Sequence, residues 1–465
     1  MSISKIPVRT LRPADFELLP AQSAAPVIVR PSRSYWQDAW ARLKTNKRAL
    51  VSLYIIIALI LFTFAGPLVW RVDPARQDVD QISVGPGVDR RAIVVEPWQA
   101  WDGSSLAPGY DSGEGLQLAA DPTTQSVRLL WSEVPGATYY RLYRNLFSAT
   151  DIDALGIPMA DFSAGGRRWY EDLLDLQPRE YFYSITAFDA NNQRMDEFLT
   201  ISADVTRVIT MDEVRSKELG VDIDRLQLGD EVFLTFHPLG TDYLGRDMLA
   251  RLMAGAQVSL FIGLLAPLLF VSFGVLYGAT AGFVGGRVDQ LMMRIADFVV
   301  ALPFLLFMIL FQVVFGIGPG ESGIIPMLVA LVLLSWPATA RLVRGQIMQI
   351  REEAYVSAAR LLGGSHMYLI FRHMIPNTLG VILVTLTFAV PSAIFTEAFL
   401  SFIGMGVAPP TASWGSMSNE ALKTMLTHPH ELFFPALMIS ITVLAFNLLG
   451  DGLRDALDAR MRGME

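Results

Sequence analysis

Residues 256–283 read AQVSLFIGLLAPLLFVSFGVLYGATAGF and contain no charged side chain. At 1.5 Å of rise per residue, about 20 apolar residues of an α-helix cross a hydrocarbon layer of about 30 Å. The run is therefore long enough to span a membrane as one helix. Its glycines are typical of membrane helices, because small residues let neighbouring helices approach closely.

Five further apolar segments extend this prediction to a bundle of six transmembrane helices. Each contains Gly or Pro, which membrane helices tolerate. One of them carries an acidic residue, Asp297, near its start. The five segments are 49–70, 295–317, 323–340, 377–403 and 432–450. The sequence therefore predicts an α-helical polytopic membrane protein.

Composition divides the chain into two parts. Over 465 residues, 52% are hydrophobic and 18% are charged, whereas soluble domains are about 25% charged. Residues 71–251 hold 17 basic and 30 acidic residues, and the rest holds 20 basic and 15 acidic. The net charge of −8 thus combines an acidic polar block with a mildly basic apolar one. Cysteine is absent, which excludes disulfides, thiolate metal sites and cysteine nucleophiles.

Basic residues near the span ends predict the orientation, because cytoplasmic loops are enriched in Lys and Arg. With the N-terminus inside, the two short outer loops hold one basic residue, Lys423. The inner loops and the C-terminal tail hold ten: Arg287, Arg294, Arg341, Arg344, Arg351, Arg360, Arg372, Arg454, Arg460 and Arg462. We therefore expect both termini in the cytoplasm and the acidic block outside.

Residues 1–33 carry prolines and mixed charges without an apolar period, which predicts a flexible cytoplasmic tail. Since no apolar core or cleavage site follows these charges, a signal peptide is not expected. Residues 34–72 then combine an interfacial helix with the first span. Trp36, Trp40 and Leu43 lie at helical spacing among basic residues, which is typical of a helix on the cytoplasmic surface. The alternative is an ordinary linker helix beside the membrane.

Strand-like alternation marks residues 115–206 inside the acidic block. Residues 127–131, 139–144 and 181–187 alternate in character and are separated by turn residues such as Pro135 and Gly136. A Trp and alternating tyrosines in short strands fit an all-β sandwich of about 90 residues. The runs TTQSVRLLWSEVPGATYYRLYRN and YEDLLDLQPREYFYSITAFDANNQ resemble a fibronectin type III domain. This resemblance implies a fold and no function.

The segments on either side of the sandwich are expected to be linkers outside the membrane. Residues 73–114 are rich in Pro and Gly and lack a period. Residues 207–253 form the second linker and contain the run HPLGTD. The remaining residues, 254–465, are the predicted core of the membrane domain.

The loop 351–377 reads REEAYVSAARLLGGSHMYLIFRHMIPN. At 3.6 residues per turn, Tyr355, Ala358, Ala359 and Leu362 form one small and apolar helix face. Gly363 and Gly364 then end the helix, and Pro376 opens the next span. Such a helix suits docking into a partner's groove. The alternative is a plain connecting helix.

This loop resembles the EAA coupling loop of ABC importer permeases, the segment that inserts into a cleft of the ATPase subunit. The two alanines of the pattern fall on Ala358 and Ala359, its glycine on Gly363 and its proline on Pro376. Ser357 occupies the position of the leading glutamate, and Glu353 lies one turn earlier. The resemblance implies that the ATPase-coupling residues are Glu353, Ala354, Tyr355, Ser357, Ala358, Ala359, Gly363, Gly364 and Pro376.

Other segments narrow the resemblance to the permeases of dipeptide and oligopeptide importers. Residues 237–247 read HPLGTDYLGRD, a signature of that family before the second span. Residues 282–303, 397–406, 409–415 and 444–456 are similar to the family too, and the resemblance covers about 35–70 and 237–462. In the family the segment before HPLGTD is short, whereas here a β-sandwich expands it.

The resemblance implies a six-helix type I ABC importer permease in a bacterial inner membrane. Its implied partners are a second, different permease, two ABC ATPase subunits, a periplasmic or lipid-anchored substrate-binding protein, a peptide substrate and membrane lipid, without nucleic acid. ATP and Mg are then expected on the ATPase subunits, and no cofactor is expected on this chain. Relatives with this bundle also carry nickel complexes or antimicrobial peptides, so the cargo stays open.

Two polar groups are candidates for function. Glu397 could line the translocation path, or it could make a structural hydrogen bond at a helix kink, since a carboxylate near lipid is costly. His237, Asp242 and Asp247 could suggest a metal site. Their irregular spacing favours a structured turn in which Asp242 caps a helix, and we expect no metal.

The sequence argues against an enzyme and against two other classes of membrane protein. A phosphate-binding Gly-x4-Gly-Lys-Ser/Thr motif is absent, so any ATP hydrolysis belongs to partner chains. An adhesion or sensory protein displaying a β-sandwich would need an internal signalling domain. A secondary transporter would not need a coupling loop. For the sandwich itself, a docking module and a passively tolerated insertion stay as alternatives.

Overall fold

The computed structural model describes residues 35–110, 113–151, 153–195, 198–217, 219, 221–315 and 323–457. The predicted tail at 1–33 lies outside these residues. The described helices are α1 (Tyr35–Thr45), α2 (Lys47–Phe64), α3 (Gly66–Val69), α4 (Met211–Lys217), α5 (Met248–Val284), α6 (Gly286–Val300), α7 (Phe304–Val314), α8 (Ile324–Arg351), α9 (Ala354–Leu361), α10 (His366–Leu369), α11 (Ile375–Phe402), α12 (Trp414–Glu420) and α13 (His430–Leu457).

Five helices in the described part of the chain are long and apolar enough to cross a membrane. They are α2, α5, α8, the continuous helix from α10 through α11, and α13. The predicted span 295–317 begins within α6 and continues through α7, and these two helices are bent by 82° relative to each other. Pro303 explains the break, because proline has no N–H and forces the preceding residue out of the helical region.

The pairing of α5 with α8 decides whether the bent pair crosses the bundle. Three glycines of α5 would place a Cβ within 3 Å of α8 backbone atoms, and the pairs are Gly274 with Trp336, Gly278 with Ala340 and Gly282 with Arg344. The residue numbers of the paired positions increase together, so α5 and α8 run parallel. Residue 324 therefore lies level with about residue 262, about 33 Å along the axis from the end of α5. The chain between α5 and α8 must return over this distance along the bundle axis. Helices α6 and α7 together therefore form a sixth crossing of the membrane domain.

The two ends of the bundle carry different structures. At one end, the start of α2 packs on the end of α13, where Ala49 contacts Gly452. Arg351 at the end of α8 donates to the carbonyl oxygen of Gly282 near the end of α5. Helix α9 follows α8 directly, so it lies at this same end of the bundle. At the opposite end, Trp70 after α3 donates to Asp247 at the start of α5, and the acidic insert follows. We call these the α9 end and the insert end.

Residues 115–206 form the predicted β-sandwich. Its strands are β2 (Leu116–Leu118), β3 (Val127–Trp131), β4 (Tyr139–Asn145), β5 (Ala160–Ser163), β6 (Trp169–Asp172), β7 (Glu180–Phe188) and β8 (Leu199–Asp204), after β1 (Arg91–Val95) in the preceding segment. One sheet has the order β2-β3-β6 and the other β5-β4-β7-β8. Trp131 packs between them against Tyr140 and Phe162. The two sheets are consistent with the fibronectin type III resemblance.

The two segments predicted as linkers contain strands and a helix that the sequence did not indicate. Strands β1, β9 (Val208–Thr210) and β10 (Glu231–Phe233) form a sheet in the order β10-β1-β9, covered by α4. We call this unit the insert base. Its strands have three to five residues and pair across more than a hundred positions, so no single segment shows a clear period.

The insert leaves and re-enters the membrane domain at one point. Before it, residues 78–84 bond along the loop 240–245, with Ser83 N–H donating to Asp242 O (2.9 Å) and Thr241 N–H to Val84 O (2.9 Å). Beyond that ladder the two chain segments continue as paired strands, where Arg91 lies opposite Phe233. These hydrogen bonds close the membrane domain at this point, and the insert is joined to it through two adjacent strands.

Candidate functional site

Helix α9 is a short helix with a break in the helical chain at each of its ends. Glu353 occupies its N-cap position without a side-chain cap bond. At its C-terminus Gly363 has φ +86°, a conformation that L side chains rarely adopt. Ser365 then starts a new helix by accepting a hydrogen bond from Tyr368 N–H (3.3 Å). The predicted helix break at Gly363 and Gly364 is confirmed.

One face of α9 anchors it and the others are exposed. Val356 is fully buried, and Ala359 packs partly against the bundle core. The predicted apolar face is therefore split, because Ala359 turns inward while Tyr355, Ala358 and Leu362 face out. The side chains of Leu361 and Leu362 are each 89% exposed. No other large apolar side chain between residues 354 and 377 is as exposed. Exposed leucines beside small residues make a surface suited to docking.

Two contacts connect α9 to neighbouring spans, and a third contact joins those two spans to each other. Asn377 in α11 donates its side-chain N–H to the Tyr355 hydroxyl (3.0 Å). The Arg360 guanidinium lies 5.2 Å from the ring centroid of Phe283 near the end of α5. That ring also meets His366 edge-on at 5.2 Å, at the start of the α10–α11 helix. A displacement of α9 would therefore act on both α5 and α11. Pro376 lies within the first turn of α11, but the helix already begins at His366.

Helix α6 is held at the α9 end by ion pairs. Arg344 of α8 makes two hydrogen bonds to the Asp289 carboxylate, each 2.5 Å, and Arg341 pairs with Asp297 at 2.7 Å. Planar guanidinium and carboxylate groups match in this bidentate arrangement. These arginines thus fix an amphipathic helix across the bundle.

A cavity of about 370 Å³ opens between α5, α8 and α11. Its polar lining consists of hydroxyl groups, and its aromatic lining is Phe270 and Phe388. The hydroxyl-bearing residues are Ser335, Thr339, Thr385, Ser392 and Thr396. None of the described lining residues is charged. The positions on α11 recur at helical spacing, so the sequence carries this signal, although none of these residues was among the predicted site residues.

Glu397, the predicted path-lining carboxylate, is not among the residues that line this cavity. Its side chain is fully buried and accepts hydrogen bonds from the hydroxyls of Ser259 (2.8 Å) and Ser401 (2.9 Å). Ser259 in turn accepts from Trp414 N–H (3.3 Å). The neighbouring residue Thr396 faces the cavity instead. Glu397 therefore has the alternative role considered for it, a structural hydrogen bond, which joins α5, α11 and α12.

Four charged side chains form a buried network at the insert end. Arg246 pairs with Asp242 (2.7 Å) and with Glu420 (2.6 Å). Arg251 pairs with the same two carboxylates, at 2.8 Å from Glu420. Burial disfavours the Arg246 cation, but Asp242 and Glu420 outweigh this effect and raise its pKa. The network joins the 237–247 loop to α5 and α12.

The sequence predicts Asp242 as the helix cap in this loop, but the N-cap residue of α5 is Asp247. The Asp247 carboxylate accepts from Ala250 N–H (2.6 Å), from the Trp70 indole (3.1 Å) and bonds His237 Nδ1 (2.7 Å). Asp242 instead closes the turn through Arg246 N–H (2.9 Å) and neutralises two guanidinium groups. Since Glu420 is 169 positions from Arg251, no local pattern could have indicated this network.

We expect Glu420→Gln to destabilise the chain by about 3 kcal/mol. Removing one partner of a buried ion pair leaves an uncompensated charge, which costs about 3–5 kcal/mol. The measurement is the free energy of unfolding of the purified chain in detergent. Glu133→Gln is the matched control, because its pair with Arg168 is exposed and such pairs contribute about 1 kcal/mol or less. Equal stability losses in the two variants would contradict the assigned role of the network.

Comparisons with known proteins match two segments of this chain to components of membrane transport systems. Residues 274–463 match the family described as binding-protein-dependent transport system inner membrane component. Residues 34–86 match the N-terminal TM domain of oligopeptide transport permease C. The second match ends next to the point where the insert begins, and the insert falls between the two matched regions.

Two similar relatives come from Bacillus subtilis (strain 168). The oligopeptide transport system permease protein OppC is 48% identical over 226 residues, which cover 49% of this chain and 72% of the relative. The dipeptide transport system permease protein DppC is 48% identical over 227 residues, covering 49% and 69%. Among solved structures, an inward-facing MetNI methionine ABC transporter chain aligns with a TM-score of 0.37 and 15% identity over 44% of this chain and 94% of that one.

Proposed function

Because this chain belongs to the family of binding-protein-dependent transport system inner membrane components, we propose that it is the permease subunit of an ATP-driven peptide importer. The observation that carries the proposal is the 48% identity to oligopeptide and dipeptide permeases. The exposed helix α9 supports it, because a permease must contact the subunits that hydrolyse ATP. The adhesion, sensory and secondary-transporter alternatives are not favoured.

The coupling residues lie on and around α9. We assign contact with a cytoplasmic ATPase to Glu353, Ala354, Tyr355, Ser357, Ala358, Ala359, Gly363, Gly364 and Pro376, together with the exposed Leu361 and Leu362. ATP-driven closure of two ATPase subunits would move α9, and its contacts with Phe283 and Asn377 would pass the motion to α5 and α11. ATP and Mg belong to those subunits in this scheme, and this chain contributes no catalytic residue.

The cavity between α5, α8 and α11 is assigned to this chain's half of the translocation path. A second, different permease supplies the other half, and a substrate-binding protein delivers the cargo. Hydroxyl groups such as Ser335 and Thr385 can hydrogen-bond to peptide amides without selecting a charge. Selection among peptides, nickel complexes or antimicrobial peptides then rests mainly with the binding protein.

The orientation follows from the basic residues at the span ends. Arginines are concentrated at the α9 end, which we therefore place in the cytoplasm. Both termini of the bundle lie at that end, and the insert lies on the periplasmic or extracellular side. Protease protection in spheroplasts tests this arrangement, since cleavage within the insert from outside supports it and cleavage only from inside contradicts it.

Purification from the native membrane in mild detergent tests the proposed assembly. We expect mass spectrometry to recover a second permease and two ABC ATPase chains, or one in two copies. The ligand of a co-purified binding protein would then identify the cargo. Recovery of this chain alone from a well-controlled preparation would contradict the assembly and reopen the stand-alone alternatives.

We favour a docking role for the insert at the mouth of the path. Burial lowers the pKa of His428 in the loop before α13, and Arg179 and Asp175 of the sandwich also act on it electrostatically. The sandwich therefore lies close to the loop before α13, at the insert end of the bundle. Its net acidic charge could also attract cationic partners.

Deleting residues 92–232 and joining Arg91 to Phe233 through Asn-Gly tests this role. The two residues lie opposite each other in an antiparallel pair, which a two-residue turn can close. We expect normal assembly, because the loop 237–247 and its ion pairs are kept, together with a several-fold loss of uptake. Unchanged uptake with unchanged affinity for the binding protein would favour a passive insertion.

A further inference from the structure

The first span ends in an exposed apolar turn beside the insert. In α3, Leu68 and Val69 are 70% and 86% exposed. The next residue, Trp70, donates its indole N–H to Asp247 (3.1 Å), the N-cap residue of α5. Trp70 is also the last residue of the apolar run 49–70 that is predicted as the first span. The boundary between hydrocarbon and headgroups therefore lies close to Trp70.

The insert base presents two aromatic rings at the same level. Phe236 packs edge-on against Trp70, with 6.3 Å between ring centroids, and is 47% exposed. Phe233 at the end of β10 is 59% exposed. The Arg90 guanidinium lies 4.8 Å from the Phe236 centroid and 5.9 Å from that of Phe233. We call Trp70, Arg90, Phe233 and Phe236 the aromatic patch.

Arg90 supplies the positive charge of the aromatic patch. Its neighbour Arg91 pairs with Asp89 (2.6 Å), whereas Arg90 makes no ion pair among the residues that the structure describes. Stacking on aromatic faces leaves the guanidinium N–H groups at its edge free to donate. A planar group of donors above two exposed rings is suited to binding a phosphate.

We propose that the aromatic patch is a membrane-contact surface, with its rings among the headgroups of phospholipids and Arg90 bound to a lipid phosphate. The patch is continuous with Leu68 and Val69, which face the lipid at the end of a span. Aromatic rings are enriched at this depth because one part is apolar and the surroundings are polar. Arg supplies the charge that complements the phosphate.

This contact gives the insert a second support. One support is the bonded ladder between residues 78–84 and the loop 240–245. The other is the bilayer under Phe233 and Phe236. With both supports the base cannot tilt freely, so the sandwich is kept in a fixed direction relative to the cavity.

Spin labels can measure the depth of the patch directly, because the chain contains no cysteine. Phe233→Cys is labelled in the full-length chain, reconstituted into vesicles of phosphatidylcholine and phosphatidylglycerol. Leu68→Cys is the lipid reference and Ile157→Cys, 89% exposed in the sandwich, is the water reference. Collisions of each label with oxygen and with a water-soluble nickel chelate are measured.

We expect the label at 233 to be several-fold less accessible to nickel than the label at 157, and to approach the label at 68 in accessibility to oxygen. Nickel accessibility equal to that at 157 would overturn the proposal. Shielding from both reagents would also overturn it, because a second copy of the chain would then cover the patch.

Arg90→Gln and Arg90→Lys in the Phe233→Cys background test the phosphate contact. One basic residue near an anionic surface changes binding about fivefold. We therefore expect Arg90→Gln to raise nickel accessibility at 233 by up to about fivefold, with Arg90→Lys largely restoring protection. Arg168→Gln is the control, since that exposed arginine lies in the sandwich. An Arg90→Gln label as protected as the parent label would refute the role of Arg90.

Discussion

Ala358→Glu is expected to lower ATP-driven uptake at least about tenfold, since each 1.4 kcal/mol of lost docking energy is a factor of ten. The substitution should leave the fold intact. Ala358 lies on the exposed side of α9, and the helix is anchored from its other side by Val356. A glutamate side chain there would carry an unpaired charge into the cleft that is proposed to receive this face. Desolvating such a charge without a partner opposes docking.

Ser357→Glu is the matched control for this prediction. It introduces the same side chain one position earlier, at an exposed site where the resembled coupling pattern has glutamate. We expect uptake to stay the same or rise. Both variants are compared in uptake, in ATPase activity of the assembled importer and in thermal unfolding of the purified chain. Equal losses of uptake in Ser357→Glu and Ala358→Glu would show that α9 tolerates no added charge at either position. Normal uptake in Ala358→Glu would contradict the proposal that this face of α9 docks into the ATPase.

The coupling loop could be predicted from the sequence because its determinants are local. Gly363 ends the helix through its own backbone conformation, and Ser365 caps the next one within three residues. The face that docks was harder to assign, since the sequence does not reveal which side packs on the bundle. The packed side is the one that carries Val356, which is buried by contacts with helices far away along the chain.

Other features depend on partners far away along the chain. The insert base needs β1 and β10, which are separated by the whole sandwich, and each is too short to show a period. The surroundings of Glu397 also depend on residues far away along the chain. A carboxylate in a span suggests a polar cavity, but here hydroxyls from two helices enclose it. The bend before α7 could have been predicted from Pro303.

The six-span topology depends on the parallel contact between α5 and α8, and Gly278 is the closest approach in it. A Cβ at Gly278 would lie well under 3.0 Å from the carbonyl oxygen of Ala340, a distance that real Cβ atoms essentially never show. Backbone cannot yield as a flexible side chain can. We therefore expect Gly278→Val to force the helices apart and to destabilise the chain by about 3 kcal/mol or more, the upper range for overpacking.

Gly345→Val separates this packing effect from the general effect of replacing a helical glycine. Gly345 lies in α8, and a Cβ there would meet nothing within 4 Å. Since valine forms helices somewhat better than glycine, the control should be neutral or slightly stabilising in the isolated chain. The measurement is the yield of monodisperse chain in detergent and its free energy of unfolding. If Gly278→Val matched Gly345→Val, the close parallel contact would be wrong, and with it the argument that α6 and α7 return the chain across the bundle.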